Sequence, residues 1–109
     1  MEINNLIRTT FLNAYEKGFW EDCDCSLGSA TTMGEYNAIG NRLMMIVGEV
    51  AEAQEGLRNG DKENFKEELA DVAIRLFDLC GGLDIDLERE IEKKMEINSK
   101  RAYKHNKLY

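Results

Sequence analysis

The chain has 109 residues, of which 43% are hydrophobic and 32% charged, and its formal net charge is −7 at pH 7. One domain accommodates this length, so we assign residues 1–109 to a single domain. The acidity argues against binding DNA, RNA or an anionic membrane, and no apolar run is long enough for a membrane span. The N-terminus lacks the pattern of a signal peptide, and three cysteines are typical of a reducing compartment, so we expect a cytoplasmic protein.

The first predicted helix covers residues 3–17, where apolar residues recur at helical spacing and Gly18 follows as a stop. Residues 21–32 (EDCDCSLGSATT) are small and polar, which is typical of a loop. A connection of this length in so small a domain is either a lid or binding element or a mobile linker. The sequence leaves both readings open.

The second predicted helix begins at Thr32-Met33-Gly34-Glu35, which has the form of a capping box, and runs to about Arg58. Its apolar residues keep to one face of the helix, as an amphipathic pattern requires. These residues are Tyr36, Ile39, Leu43, Val47, Val50 and Leu57.

The third predicted helix covers about 62–80, with Asp61 as its N-cap and Gly81-Gly82 as its stop. The fourth begins near Asp84 or Asp86 and continues to about Arg101, and the basic tail AYKHNKLY follows. Short turns on both sides of the third helix imply antiparallel neighbours. The sequence therefore predicts an all-α fold, a four-helix bundle without strands.

Two pairs of carboxylates occur at helical spacing on successive helices. Glu49 and Glu52 are three residues apart and share one helix face, and Glu68 and Asp71 repeat this arrangement on the next helix. Because the two helices are predicted to be antiparallel, the pairs can face each other across the seam.

The strip that contains Glu68, Asp71, Arg75 and Asp78 is narrow and has apolar residues on both flanks, which predicts partial burial. Carboxylates crowded in such a place repel one another, and a divalent cation relieves the repulsion while keeping them ionised. All-oxygen ligands select Mg²⁺, with Mn²⁺ as a substitute. Since acidic pairs at this spacing also occur on exposed helices, two solvated helix faces remain the alternative.

Basic and amide side chains continue the inner face of the fourth helix. Leu87 and Ile91 mark this face, and Lys94, Asn98 and Arg101 follow on it at helical spacing. Such side chains suit phosphate oxygens, Arg as a bidentate fork and Lys as a point charge. The alternative is that they pair with nearby acids or extend into solvent.

These residues together resemble the MazG-like nucleotide pyrophosphohydrolases, an all-α superfamily with the signature ExxE, a spacer, then ExxD. The motif is Glu49-Val-Ala-Glu52 and Glu68-Leu-Ala-Asp71, separated by residues 53–67. The likeness runs from about Asn41 to Lys107, through NRLMMIVGEVAEAQEGLRNGD, KEELADVAIRLFDL and GLDIDLEREIEKKMEINSKR, with a weaker match at Gly18-Phe19-Trp20.

The resemblance implies a Mg²⁺-dependent hydrolase that cleaves a nucleoside triphosphate to a nucleoside monophosphate and pyrophosphate. It implies that Glu49, Glu52, Glu68 and Asp71 ligate the metal and that Lys94, Asn98 and Arg101 hold the triphosphate. Water would attack the α-phosphorus, and we assign Glu52 as the base that takes its proton. Family members usually form oligomers, so we expect a homodimer or homotetramer that completes the bundle, and a role in nucleotide-pool housecleaning.

The nucleoside end of the substrate is less well defined. Its candidates are Trp20, Phe19, Asn13 and the loop 21–32. Trp20, a candidate substrate-binding residue, either stacks on the base or closes the core, whereas core packing is favoured for Phe19. The basic residues of the tail either touch phosphates or are solvated, and the CxC pair is read as ordinary loop thiols. These are Lys104, His105 and Lys107, and Cys23 and Cys25.

A ferritin-like di-metal bundle needs Glu-x-x-His pairs, and no histidine lies within the predicted bundle. A non-enzymatic helical interaction or regulatory module, with the acidic face as plain surface, is the main alternative. A shifted substrate within the same superfamily is also open, because the sequence does not define which base or sugar is preferred.

Overall fold

The computed structural model describes residues 2–23 and 27–101, which form four α-helices and one short 3-10 helix, with no strand in these ranges. The predicted all-α fold is confirmed. Cys25 and the tail residues Lys104, His105 and Lys107 lie outside the described ranges, so the predictions made for them stay predictions. The helices are α1 (Ile3–Glu16), α2 (Met33–Arg58), α3 (Lys62–Gly82) and α4 (Leu87–Ser99), and the 3-10 helix is Leu27–Ser29.

Local capping sets the starts of three helices. The Thr32 hydroxyl accepts a hydrogen bond from the Glu35 N–H at 3.1 Å, and the Thr32 N–H donates to Glu35 Oε1, so the predicted capping box is present. Asp61 caps α3 by accepting from the Asn64 N–H at 3.0 Å. Asp86 caps α4 in the same way. Each cap satisfies a backbone donor that the first helical turn would leave unpaired.

Helices α2 and α3 form an antiparallel hairpin, the largest helix contact in the described structure. The buried residues of α2 are Ala53 and Gly56. Because both are small, the two helix backbones can approach closely. A Cβ on Gly56 would lie only 3.3 Å from the Phe65 nitrogen, which is tighter than an ordinary contact. Gly60, with φ of +70°, makes the turn between the helices. The hairpin therefore brings the two acidic motifs to one seam.

Helix α3 ends at Gly82, as predicted from the Gly81-Gly82 pair, and both glycines are helical residues. Their function is close packing. A Cβ on Gly81 would overlap the Phe11 side chain of α1, and one on Gly82 would overlap the indole of Trp20. α1 thus packs against the C-terminal part of α3 because that helix has no side chains at these two positions.

Helix α4 makes its helix contact with α1, through its first turn. The Ile3 N–H donates to Glu88 Oε1 at 3.0 Å, and Asn4 Nδ2 donates to Asp86 Oδ1 at 3.0 Å. Beyond Ile91, every described residue of α4 is exposed. The inner face predicted for this helix is therefore covered only near its N-terminus within one chain.

The apolar face of α2 lies mostly on the surface of the single chain. Leu43 is 47% exposed, Val47 54% and Val50 51%, although their helical spacing predicts a buried face. Among the described residues no large side chain is completely buried, and the core contains eight residues, four of which are cysteine or alanine rather than bulky groups. None of the described helices is long and apolar enough to cross a membrane. An exposed apolar stripe of this length is a surface that favours association.

Candidate functional site

Three carboxylates meet at the seam between α2 and α3. Glu49, Glu68 and Asp71 each offer one oxygen, and these oxygens all lie within 4.8 Å of one another. Glu52 is next to them, since it lines a small depression together with Glu68. Its carboxylate contributes to the raised pKa of Glu68. The structure therefore brings together all four residues of the acidic motifs, which we call the acidic cluster. Within it, we call Glu49, Glu68 and Asp71 the trio.

Glu68 is the member of the acidic cluster whose charge is least well compensated. Its Oε2 atom is buried and has no hydrogen-bond partner among the described residues. Loss of hydration, together with the neighbouring carboxylates of Glu49 and Glu52, raises its pKa to about 7. A buried carboxylate oxygen without a donor needs either a proton or a cation. This is the observation that makes the cluster suitable for a metal ion.

Arg75 supplies a positive charge to the same seam. Its Nε donates to Glu49 Oε1 at 2.7 Å, and the Glu49 side chain is only 13% exposed. Hydrogen bonding to this guanidinium is the main reason that the pKa of Glu49 is lowered, against the opposing effect of burial. Glu49 and Glu68 thus have opposite pKa shifts although both belong to the trio.

Two cavities open beside the trio and share a wall. The larger, about 510 Å³, is the groove between α1 and the α2–α3 hairpin. The smaller, about 340 Å³, is the side pocket near the C-terminal part of α3. Both volumes lie in the range of small-molecule sites, roughly 300–1,000 Å³. Arg75, Asp78 and Phe19 line both cavities, Glu49 and Asp71 line the groove with Asn13 and Lys17, and Asn41, Arg42 and Asp22 line the side pocket.

Trp20 lies behind the shared wall and is 5% exposed. Its Nε1 donates to Asp78 Oδ1 at 2.7 Å, and the guanidinium of Arg42 lies 3.9 Å from the centroid of the indole. Of the two interpretations left open for Trp20, the structure shows the core position. Burial raises the pKa of Asp78, although the bond from Trp20 acts in the opposite direction.

Arg42 fixes the segment that follows α1. Its two terminal nitrogens bond to Asp22, at 2.7 and 3.2 Å, and Nη2 also donates to the carbonyl of Phe19 at 2.8 Å. The sequence prediction did not include Arg42. The available signal was its position two helical turns before Glu49, on the same face of α2.

Phe19 is 65% exposed, so the core packing predicted for it is wrong. The hydrogen bond from Arg42 holds its backbone while the ring lines both cavities. The adjacent Trp20 occupies the core instead, against Gly82. Asn13, the third candidate for the nucleoside end, lines the groove.

The predicted phosphate-binding residues are not brought to the acidic cluster within one chain. Lys94, Asn98 and Arg101 are all exposed, on or just after the part of α4 that extends beyond its contact with α1. They line neither the groove nor the side pocket. Their assignment to the triphosphate remains a prediction.

Comparison with protein families adds an independent observation to this geometry. The model of the MazG-like family matches residues 43–108, more than half of the chain. The chain belongs to the MazG-like family. The match contains the whole acidic cluster and α4, whereas α1, Phe19 and Trp20 precede it. No curated protein and no solved structure matched the chain.

The donor set of this MazG-like site fits a hard divalent cation. It consists of carboxylate oxygens, without histidine or cysteine, and one of its members, Glu68, has a buried Oε2 with no hydrogen-bond partner among the described residues. Glu49, Glu68 and Asp71 would hold the ion, with Glu52 alongside. Asp71 is exposed and Glu68 is partly buried, so the predicted partial burial of the strip holds for Glu68, Arg75 and Asp78 but not for Asp71.

Proposed function

We propose that this MazG-like protein is a Mg²⁺-dependent nucleoside triphosphate pyrophosphohydrolase that releases a nucleoside monophosphate and pyrophosphate. The observation that carries the proposal is the trio of carboxylates: two of them line a groove large enough for a nucleotide, and the third, Glu68, has a buried oxygen without a partner among the described residues. Membership of the MazG-like family supports the same reaction type.

In this proposal the phosphate chain lies at the acidic end of the groove. A bound Mg²⁺ would neutralise charge that develops on the phosphate oxygens. Lys17 and Arg75 line the same groove and add positive charge from the protein. Water attacks the α-phosphorus, the bond to the bridging oxygen breaks, and pyrophosphate leaves.

We assign Glu52 as the general base that accepts a proton from the attacking water. This residue is exposed and neighbours Glu68, but it does not belong to the trio whose oxygens lie within 4.8 Å of one another. A carboxylate beside a metal site, and not committed to it, can act as a general base. Glu52 and Glu68 also line a separate depression. In this proposal the attacking water reaches Glu52 through that depression.

The nucleoside would extend from the groove toward Phe19 and the side pocket. An exposed aromatic ring at the junction of two cavities is a platform for a base. Two arginines balance the two acidic side chains of the side pocket, and Asp22 is already paired with Arg42. Since the pocket has no excess of positive charge, the proposal places the nucleoside there and the phosphates toward the metal.

We further propose that the active form is a homo-oligomer, a dimer or a tetramer. The exposed apolar face of α2 would pack on a second copy and complete the bundle. The same association would bring Lys94, Asn98 and Arg101 from the neighbouring copy to the acidic cluster. A reducing cytoplasm, with nucleotide-pool housecleaning as the role, remains our expectation for the setting.

The proposal is tested by incubating the protein with each common ribo- and deoxyribonucleoside triphosphate, with Mg²⁺, Mn²⁺ or EDTA, and separating the products by ion-exchange chromatography. Monophosphate and pyrophosphate formed only with metal are the expected products. Diphosphate and orthophosphate would contradict the site of attack. Absence of turnover, with no effect of Mg²⁺ on the melting temperature, would favour the helical interaction module instead.

A further inference from the structure

Arg75 lies on α3 one helical turn after Asp71, and it reaches across the seam to Glu49 of α2. In the described part of the chain, Nε is the one atom of this guanidinium with a hydrogen-bond partner. The ion pair therefore occupies a carboxylate of the trio, while both terminal nitrogens of Arg75 remain available where the side chain lines the groove and the side pocket.

The ion pair places two cations in competition for Glu49. A metal ion that entered the trio alone would have to share or displace this carboxylate, and it would also lie near a guanidinium of like charge. A phosphate chain that entered with the metal would remove the conflict, because it offers new acceptors to the displaced guanidinium. Arg suits this exchange since its planar fork binds carboxylate and phosphate oxygens alike.

We propose that Arg75 is an exchangeable counter-ion: it neutralises Glu49 in the metal-free site and transfers to the phosphate chain when metal and nucleotide enter together. The inference rests on the proposed function and adds a phosphate-binding residue to it. Free metal then binds weakly, and metal and substrate each raise the affinity of the other.

The position of Arg75 distinguishes it from the basic residues of α4. It is 38% exposed and lies on the same helix as Glu68 and Asp71, so its place beside the trio does not depend on any other copy of the chain. Lys94 and Arg101 are on or just after the exposed part of α4. Among the described residues, Arg75 is thus a cation that contacts the acidic cluster within a single chain.

Two titrations test the proposal in the full-length protein, without turnover. The first measures Mn²⁺ binding alone, through the electron paramagnetic resonance signal of free Mn²⁺. The second measures binding of the preformed Mn²⁺–tripolyphosphate complex by calorimetry. For Arg75→Gln we expect tighter Mn²⁺ binding and weaker tripolyphosphate binding, each by about tenfold, the scale of one charge-assisted hydrogen bond. Arg75→Lys, which keeps the charge but loses the fork, should restore the weak Mn²⁺ binding.

Arg89→Gln is the matched control, because it makes the same chemical change at an exposed residue in the first turn of α4. It should alter neither titration. Loss of both affinities in Arg75→Gln would indicate a structural role and overturn the proposal, as would two unchanged affinities or a change in Mn²⁺ affinity alone. If the wild type fails to hydrolyse any nucleotide, the proposed function fails, yet the Mn²⁺ titration still reports whether Arg75 competes for Glu49.

Discussion

Trp20 Nε1 donates a 2.7 Å hydrogen bond to Asp78 Oδ1, which ties the segment after α1 to the wall between the groove and the side pocket. The indole is buried on one side by Gly82 and covered by Arg42 on another. This arrangement makes Trp20 a structural support of the site.

We expect Trp20→Phe to lower the free energy of unfolding by about 1–3 kcal/mol, because Asp78 loses its donor while remaining half-buried. Urea unfolding followed by circular dichroism measures the change. Phe19→Leu, at an exposed position next to it, should leave stability nearly unchanged and weaken nucleotide binding. If Trp20→Phe instead raised KM without affecting stability, the indole would contact the substrate.

The helix starts could be predicted from sequence because their causes are local. Thr32 with Glu35, and Asp61 with the Asn64 N–H, need only neighbours three residues away. The role of Gly81 and Gly82 could not be predicted in this way. The sequence predicts the end of α3 at these glycines, but it does not show that the Phe11 and Trp20 side chains pack on them.

The acidic cluster was predictable for a related reason. The spacing of Glu49, Glu52, Glu68 and Asp71 fixes the helix face, and the short turn at Gly60 fixes the antiparallel pairing. The partner of Arg75 was not predictable, since it depends on the relative shift of α2 and α3 at the seam. Which of two adjacent aromatic residues, Phe19 or Trp20, enters the core likewise depends on packing that the sequence does not display.

The raised pKa of Glu68 predicts how the metal-free protein responds to pH. Its carboxyl group has a pKa of about 7 in the fold against 4.5 when unperturbed, so the fold favours the protonated form. The stabilisation from this group is complete below pH 4.5 and is lost as the pH rises through about 7. In EDTA, Glu68→Gln should therefore melt at a higher temperature than wild type at pH 8, and the difference should shrink toward pH 5.

Thermal melts in EDTA between pH 5 and 8 check this prediction, and Mg²⁺ at pH 8 should stabilise the wild type more than Glu68→Gln. Glu67→Gln is the control, because Glu67 is the exposed neighbour of Glu68 on α3. A melting difference between Glu68→Gln and wild type that did not vary with pH would show that Glu68 ionises normally in the fold.

Loss of a trio carboxylate should remove turnover while leaving the fold intact. For Asp71→Asn we expect kcat to fall at least about 100-fold, the scale of losing one electrostatic contribution to the transition state. Asp71 is exposed, so the melting temperature in EDTA should hardly change. Product formation under saturating Mg²⁺ is the measurement, with Glu67→Gln again as the control that stays active. Near-normal activity of Asp71→Asn would remove Asp71 from the ligand set.

The exposed apolar stripe of α2 predicts that copies of the chain associate through this surface. Val50→Glu places a charge at the centre of the stripe, where burial against a second copy would cost several kcal/mol, and we expect it to yield monomers. Light scattering coupled to size-exclusion chromatography measures the mass of each species. Asn37→Glu adds the same side chain to the polar side of α2 and should retain the oligomer. A monomeric wild type would contradict the proposed association at once.

Complementation between inactive variants tests whether a second copy supplies the α4 residues. One variant carries Glu68→Gln, and the other carries Lys94→Gln with Arg101→Gln. In a mixed oligomer, the acidic cluster of the second variant would meet the intact α4 of the first, so the mixture should regain activity that neither has alone. The control is a mixture of wild type with a chain that carries all three substitutions. It is used in place of the mixture of the two variants and controls for subunit exchange.

If the site were formed within one chain, every chain in the mixture of the two variants would contain a defect. Mixed oligomers that were isolated through two different affinity tags and still lacked activity would therefore place the α4 residues in the same chain as their acidic cluster, or outside the site altogether.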